Sequence, residues 1–185
     1  MTATLYIPDI SGFSKFVNET EITHGQEIIA ALLESIIETN TLKMDISEIE
    51  GDAIIFYQFG ETIEPRQFYN ESKKILEQFH KKIEQLNNKI ECECGACKAI
   101  SNLTLKFIVH ADEINLIEIK KFNKLYGKGV IVAHLLLKNN IPSSEYLLFT
   151  KQYMQSFPHK EDLKLETYNH STEHFGEIET FFARI

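Results

Sequence analysis

Clusters of basic residues and long apolar runs are both missing from this 185-residue sequence. Acidic residues outnumber basic residues by 27 to 19, so the formal net charge is −8 at pH 7. Because proteins bind nucleic acid mainly through clustered Lys and Arg that neutralise phosphates, this composition argues against a nucleic-acid partner. No segment approaches the roughly 20 apolar residues that a membrane-spanning helix needs, and the N-terminus lacks a secretory signal pattern. We therefore expect no membrane partner and a cytoplasmic location.

Internal repeats and low-complexity linkers are also absent from the sequence. Hydrophobic residues make up 43% of it, which is enough for a chain of this length to bury one sizeable core. We therefore predict a single domain over residues 1–185.

Helix-periodic and β-rich segments alternate along the chain. Apolar residues recur at helical spacing over about residues 20–41 and 65–87, and a shorter helix is predicted over 130–138. The β-rich segments cover residues 3–7, 43–50, 53–59, 103–111 and 146–149, followed by a strand pair within 163–184 whose turn is predicted near 169–172. This alternation predicts an α+β fold in which the helices pack on one face of a sheet.

Two turns in the N-terminal third carry an aspartate between an apolar strand and a glycine. Asp9 lies in the segment Pro8-Asp9-Ile10-Ser11-Gly12, and Asp52 lies in Glu50-Gly51-Asp52-Ala53. Both carboxylates should therefore lie at one edge of the sheet, where a hard cation such as Mg²⁺ finds the oxygen ligands it prefers. The alternative is that Asp9 caps the following helix and Asp52 begins a turn.

Four segments resemble the motifs of class III adenylate/guanylate cyclases. PDISGFSKF and EIEGDAIIF resemble the two metal motifs, LKFIVHADEI the central strand, and LYGKGVIVAHLL the helix that carries the catalytic residues. The phrases ISGFSKFVNETEITH, SEIEGDAIIFY, CECGAC and AHLLLKNNIP are more similar still to an uncharacterised bacterial family of cyclase-like domains, a domain of unknown function. The resemblance covers nearly the whole chain and implies the ferredoxin-like sheet of the class III catalytic domain.

The resemblance also implies a metal site. Class III cyclases hold two metal ions with two aspartates, and Asp9 and Asp52 match both positions, with the carbonyl of Ile10 as the backbone ligand. Mg²⁺ or Mn²⁺ is therefore the expected cofactor.

The positions that stabilise the transition state in the family are changed. Alignment on the catalytic helix puts Ile131 and Leu135 where the family has an asparagine and an arginine, and Glu173 and Phe175 precede Gly176 where lysines are expected. Neither aliphatic side chain donates a hydrogen bond, and loss of one such donor typically costs about 10²- to 10³-fold in rate. These changes argue against cyclase activity, and no residue is assigned a catalytic role.

Base recognition is altered as well. Glu48, three residues before Gly51, matches the guanine-specific members, whereas Lys124, three residues before Gly127, matches neither the adenine type nor the guanine type. The two residues are candidates for binding a purine nucleotide. The alternative is that they form an exposed ion pair with each other, worth only about 0 to 1 kcal/mol.

All three cysteines of the chain, Cys92, Cys94 and Cys97, lie in one C-x-C-x-x-C cluster. Because disulfides are disfavoured in the cytoplasm and a short glycine-containing loop can fold thiolates around Zn²⁺, the cluster predicts a zinc site. The candidates for a fourth ligand are His110, His80, Glu93 and a residue of a symmetry-related subunit. The alternative is that the cysteines are reduced residues of a connecting loop.

Three functional interpretations remain open. The first is a catalytically degenerate cyclase-like domain that binds a metal and a purine nucleotide and acts as a regulatory or sensing module. The second is a homodimeric interaction scaffold with zinc at the cysteine cluster and no nucleotide. The third and least favoured is an active purine nucleotide cyclase. The resemblance implies a homodimer, and we expect Ile131 and Leu135 to be buried against the partner or inside a closed cleft.

Overall fold

The computed structural model describes residues 1–89, 99–157 and 163–185. The strands within these ranges are β1 (Thr2–Ser11), β2 (Asp45–Glu50), β3 (Ala53–Phe59), β4 (Thr104–Glu113), β5 (Asn115–Ile119), β6 (Phe122–Tyr126), β7 (Tyr146–Thr150), β8 (Glu166–Thr172) and β9 (Gly176–Arg184). The helices are α1 (Phe13–Glu19), α2 (Ile22–Glu38), α3 (Pro65–Lys89), α4 (Lys128–Leu137) and the short α5 (Lys151–Met154), with a 3₁₀ turn at Ile100–Asn102. In this part of the chain, no helix is both long and apolar enough for a membrane crossing.

Seven of the described strands form one sheet in the order β2-β3-β1-β4-β7-β9-β8, and β5 pairs with β6 in a separate hairpin. β1 pairs antiparallel with both β3 and β4, while β4 and β7 run parallel. The predicted α+β architecture is therefore confirmed, with β1 and β4 in the interior of the sheet.

Each face of this sheet carries its own hydrophobic core. On one face, α2 and α3 contribute to a cluster that includes Tyr6, Leu32, Phe56, Phe68, Phe79 and Phe107. On the other face, α4 covers a cluster that includes Leu5, Ile7, Ile108, Val132, Ala133 and Leu136. The sequence predicted that the helices pack on one face of the sheet. This holds for α2 and α3, whereas α4 packs on the other face. The reason is that β1 and β4 are apolar on both faces, so the second face also needs a cover.

Three local features differ from the sequence-based expectations. β1 continues through Pro8 to Ser11, although Pro8 lacks an N–H and the pairing with β3 is interrupted between Tyr6 and Asp9. The β5–β6 hairpin was not predicted, because its strands are short and mostly exposed. The C-terminal turn lies at residues 173–175 instead of 169–172, and Gly176 after it takes a φ of 66° that suits glycine.

Candidate functional site

The two predicted metal-binding aspartates meet at one end of the β1–β3 pair. Antiparallel pairing places Asp9 opposite Ala53, the residue after Asp52, and the N–H of Ile10 donates to the carbonyl of Asp52 at 3.2 Å. The turn between β2 and β3 is tight because Gly51 has a φ of 62°. The Asp52 carboxyl group lies within hydrogen-bonding reach of Asp9, and both side chains line one cleft.

The electrostatic environment of this pair reflects its burial. Asp9 is only 7% exposed, and Asp52 is partly buried. Burial raises the pKa of Asp52 from its ordinary value of 3.8 to about 6, the negative charge of Asp9 adds to this effect, and Lys106 opposes it. Two carboxylates held together with little water make a strong binding site for positive charge.

Lys106 already supplies one positive charge to this pair. It stands opposite Asp9 in the β1–β4 register, and its Nζ lies 2.9 Å from Oδ2 of Asp9. The same ammonium donates a hydrogen bond to the carbonyl of Leu137, the last residue of α4, at 2.7 Å. Sequence analysis did not single out Lys106. The available signal was a lysine between Leu105 and Phe107, in the part of β4 that is otherwise apolar from Leu105 to Val109.

The cleft around the aspartates has a volume of about 580 Å³. It lies between the start of α1, the β2–β3 turn and α4, and its lining includes Ser11, Gly12, Lys15, Glu50, Lys138 and Ala53. Ile131 and Leu135 of α4 also line it, so the positions that match the cyclase asparagine and arginine do face this site. Ile131 is 53% exposed, and the expectation that it is buried is not met within a single chain.

A contact between Glu50 and His134 joins β2 to α4 at the lining of the cleft. Nδ1 of His134 on α4 lies 3.0 Å from Oε2 of Glu50, the last residue of β2. His134 therefore reaches the site, although it projects from a different angle of α4 than Leu135. The contact ties α4 to the turn that carries Asp52.

A second cleft of about 600 Å³ adjoins the first. Its lining includes Glu48, Lys124, Tyr126 and Lys128, and it shares Glu50, Ile131 and His134 with the first cleft. The structure therefore brings the two predicted base-recognition residues to one place. The ion pairs of the described residues do not include Glu48 with Lys124.

Comparison with known proteins identifies the family. The family model described as "Protein of unknown function (DUF2652)" matches residues 29–146. The "Uncharacterized protein Rv2561/Rv2562" of Mycobacterium tuberculosis is 30% identical over 154 residues, which cover 83% of this chain and 72% of that protein. The chain belongs to the DUF2652 family.

Solved structures with the same fold are class III nucleotidyl cyclases. The adenylyl cyclase CyaB from P. aeruginosa has a TM-score of 0.75 at 12% identity, covering 100% of this chain and 94% of that chain. The guanylate cyclase domain of RhGC from Catenaria anguillulae, solved in complex with GTP, has a TM-score of 0.62 at 12% identity, covering 100% and 97%. A bacterial light-regulated adenylyl cyclase has a TM-score of 0.63 at 14% identity, covering 97% and 88%. This DUF2652 protein therefore has the class III cyclase catalytic-domain fold, and identities this low show the fold alone.

The cysteine cluster, Cys92, Cys94 and Cys97, lies outside the described residues. Of the histidines considered as a fourth zinc ligand, His80 lies 2.7 Å from Glu145, and His110 is buried with its Nδ1 2.9 Å from the Thr150 hydroxyl. Over residues 1–89, 99–157 and 163–185, no group of three or more His, Cys, Asp or Glu side chains is arranged to hold a metal ion. The zinc site remains a prediction from sequence.

Proposed function

We propose that this DUF2652 protein is a catalytically degenerate class III cyclase-like domain that binds one or more divalent cations and a purine nucleotide and acts as a sensing or regulatory module. The observation that supports this most is the convergence of Asp9 and Asp52 in a cleft of about 580 Å³. Residues of the segments that resemble cyclase motifs line this cleft, which agrees with the fold comparison.

The donor set suits Mg²⁺ or Mn²⁺. Asp9, Asp52 and the carbonyl of Ile10 supply oxygen ligands, which these hard cations prefer. Burial and the negative charge of Asp9 raise the pKa of Asp52, and a bound cation would stabilise the ionised carboxylate. When bound, such an ion would neutralise the carboxylates and attract the phosphate groups of a nucleotide. The chain's own contribution is to keep the two carboxylates close together at the end of a rigid strand pair.

The adjoining cleft supplies a candidate for base selection. Glu48 lines it and makes no salt bridge with any described residue. A carboxylate accepts two hydrogen bonds side by side, and the amide and amino groups of guanine offer two donors in that arrangement. Lys15 lines the first cleft, where its charge favours phosphate. We therefore infer a preference for GTP over ATP.

Binding without turnover follows from the α4 wall of the cleft. Ile131 and Leu135 cannot donate a hydrogen bond to a transferring phosphoryl group, so the charge that develops in a cyclisation transition state has no partner at these two positions. The same residues leave room for a nucleotide in its ground state. The module would then report the presence of the nucleotide by a change in stability or assembly.

A thermal-shift panel with calorimetry tests this function. GTP with Mg²⁺ or Mn²⁺ should raise the melting temperature more than ATP does, and a ligand at 100 times its dissociation constant adds about 2.7 kcal/mol of stability. Asp9→Asn should abolish the effect, and Glu48→Gln should remove the preference for GTP. Asp45→Asn is the matched control, because it removes an exposed carboxylate of β2 that lines neither cleft. An equal shift in wild type and Asp9→Asn would rule out the proposed site.

A homodimeric scaffold is the second candidate, and exposed apolar side chains favour it. On the β5–β6 hairpin, Leu116, Ile119, Phe122 and Tyr126 are 41%, 54%, 63% and 66% exposed, and Ile131 on α4 is 53% exposed. Such a concentration of exposed apolar groups is typical of an interaction surface. If zinc at the cysteine cluster supports this assembly, chelation should dissociate the dimer without any effect of nucleotide.

A further inference from the structure

The ammonium group of Lys106 is held from two sides at the aspartate pair. Its Nζ lies 2.9 Å from Oδ2 of Asp9 and 2.7 Å from the carbonyl oxygen of Leu137. The side chains of Lys106 and Asp9 are only 18% and 11% exposed. The carbonyl belongs to the C-terminal residue of α4, where the helix dipole also favours a cation.

The position of this lysine is set by the sheet rather than by a flexible loop. Lys106 and Asp9 are directly opposed in the antiparallel β1–β4 pair, and both point to the face that α4 covers. A side chain rooted in an interior strand has few other places to put its charge. Displacing it from Asp9 would leave a largely buried ammonium with one carbonyl partner, which is unfavourable.

The lysine and a metal ion would therefore compete for the same oxygen atom. The class III resemblance implies two divalent ions at two aspartates, but here the carboxylates of Asp9 and Asp52 already share one fixed positive charge. A divalent ion on Oδ2 of Asp9 would face like-charge repulsion at short range with little water to screen it.

We propose that Lys106 is a tethered cation that takes the place of one of the two metal ions, so that the site binds a single divalent cation. This inference rests on the metal site of the proposed function. Lys106 would then determine how many metal ions bind and how tightly. Asp52 would be the principal carboxylate ligand of the single ion.

Manganese binding in the absence of nucleotide tests the proposal. Calorimetry and the electron paramagnetic resonance signal of free Mn²⁺ should show one ion per chain in the wild type. Lys106→Met should lower the dissociation constant by at least about tenfold or admit a second ion, since tenfold corresponds to 1.4 kcal/mol. Lys106→Arg should retain the wild-type stoichiometry. Lys138→Met is the matched control, because Lys138 is an exposed lysine of the same cleft and has no ion pair with a described residue.

Each outcome bears on the inference. Two ions per chain in the wild type, or equal affinities in the wild type and Lys106→Met, would overturn it while leaving the metal site intact. An equal increase in Mn²⁺ affinity in Lys138→Met would show a general charge effect and would also overturn the inference. Absence of Mn²⁺ binding in both the wild type and Lys106→Met would refute the metal site itself. The wild-type stoichiometry needs no variant, so the proposal stays testable even if Lys106→Met does not fold.

Discussion

Replacing His110 by glutamine should remove a pH dependence from the stability of this protein. His110 is 1% exposed on β4, with Nδ1 2.9 Å from the Thr150 hydroxyl and Nε2 3.9 Å from Oδ2 of Asp112. Among the described residues, neither Nε2 of His110 nor Oδ2 of Asp112 has a hydrogen-bond partner. Burial lowers the pKa of His110 from 6.5 to about 4; the Lys128 charge acts in the same direction, and Asp112 opposes it.

The sign and size of the effect follow from these pKa values. Between pH 6.5 and about 4 the unfolded chain binds a proton at His110 that the folded protein does not bind, so the free energy of unfolding falls as the pH falls. Over this full pH interval, the free energy of unfolding falls by about 3 kcal/mol because of His110. Asp52 acts in the opposite direction, because its raised pKa of about 6 makes the folded state bind the extra proton between pH 6 and 3.8.

The two effects oppose each other in the wild type, so the measurement must compare two proteins. Urea unfolding of the wild type and His110→Gln, from pH 7.5 to 4, gives the difference in their free energies of unfolding. Glutamine does not titrate and retains a hydrogen-bonding group for Thr150. We expect the wild type to lose about 3 kcal/mol relative to the variant over this range. A difference that does not change with pH would refute the reasoning.

Three further predictions concern packing, activity and assembly. Gly129→Ala would place a methyl group 2.4 Å from Cβ of Asp112, so we expect a loss of about 1 to 3 kcal/mol in thermal unfolding, and unchanged stability would contradict the packing. Purified protein should make no cyclic AMP or cyclic GMP with Mg²⁺ or Mn²⁺; product that disappears in Asp9→Ala would show an active enzyme. Light scattering should find a dimer at micromolar concentration that dissociates without unfolding in Leu135→Asp, and a wild-type monomer would refute it.

Local sequence patterns were sufficient for the features that depend on short-range order. Helical spacing predicted α2 and α3, and the acid-glycine turns predicted that Asp9 and Asp52 lie at one edge of the sheet. The resemblance of four motifs to those of class III cyclases implied the cyclase fold, which the structural comparison confirms. The helices and turns are readable because helical periodicity and turn chemistry act over a few neighbouring residues.

Only the tertiary structure decided which distant residues join the site. Lys106 meets Asp9 because β1 and β4 pair in one particular register, and a shift by one residue would turn the lysine to the opposite face of the sheet. The face of α4 that covers the sheet was equally hidden, because that helix is apolar on most sides and its sequence does not mark an inner surface. Strand register and helix packing depend on the total burial of side chains from the whole chain, and no single segment contains that information.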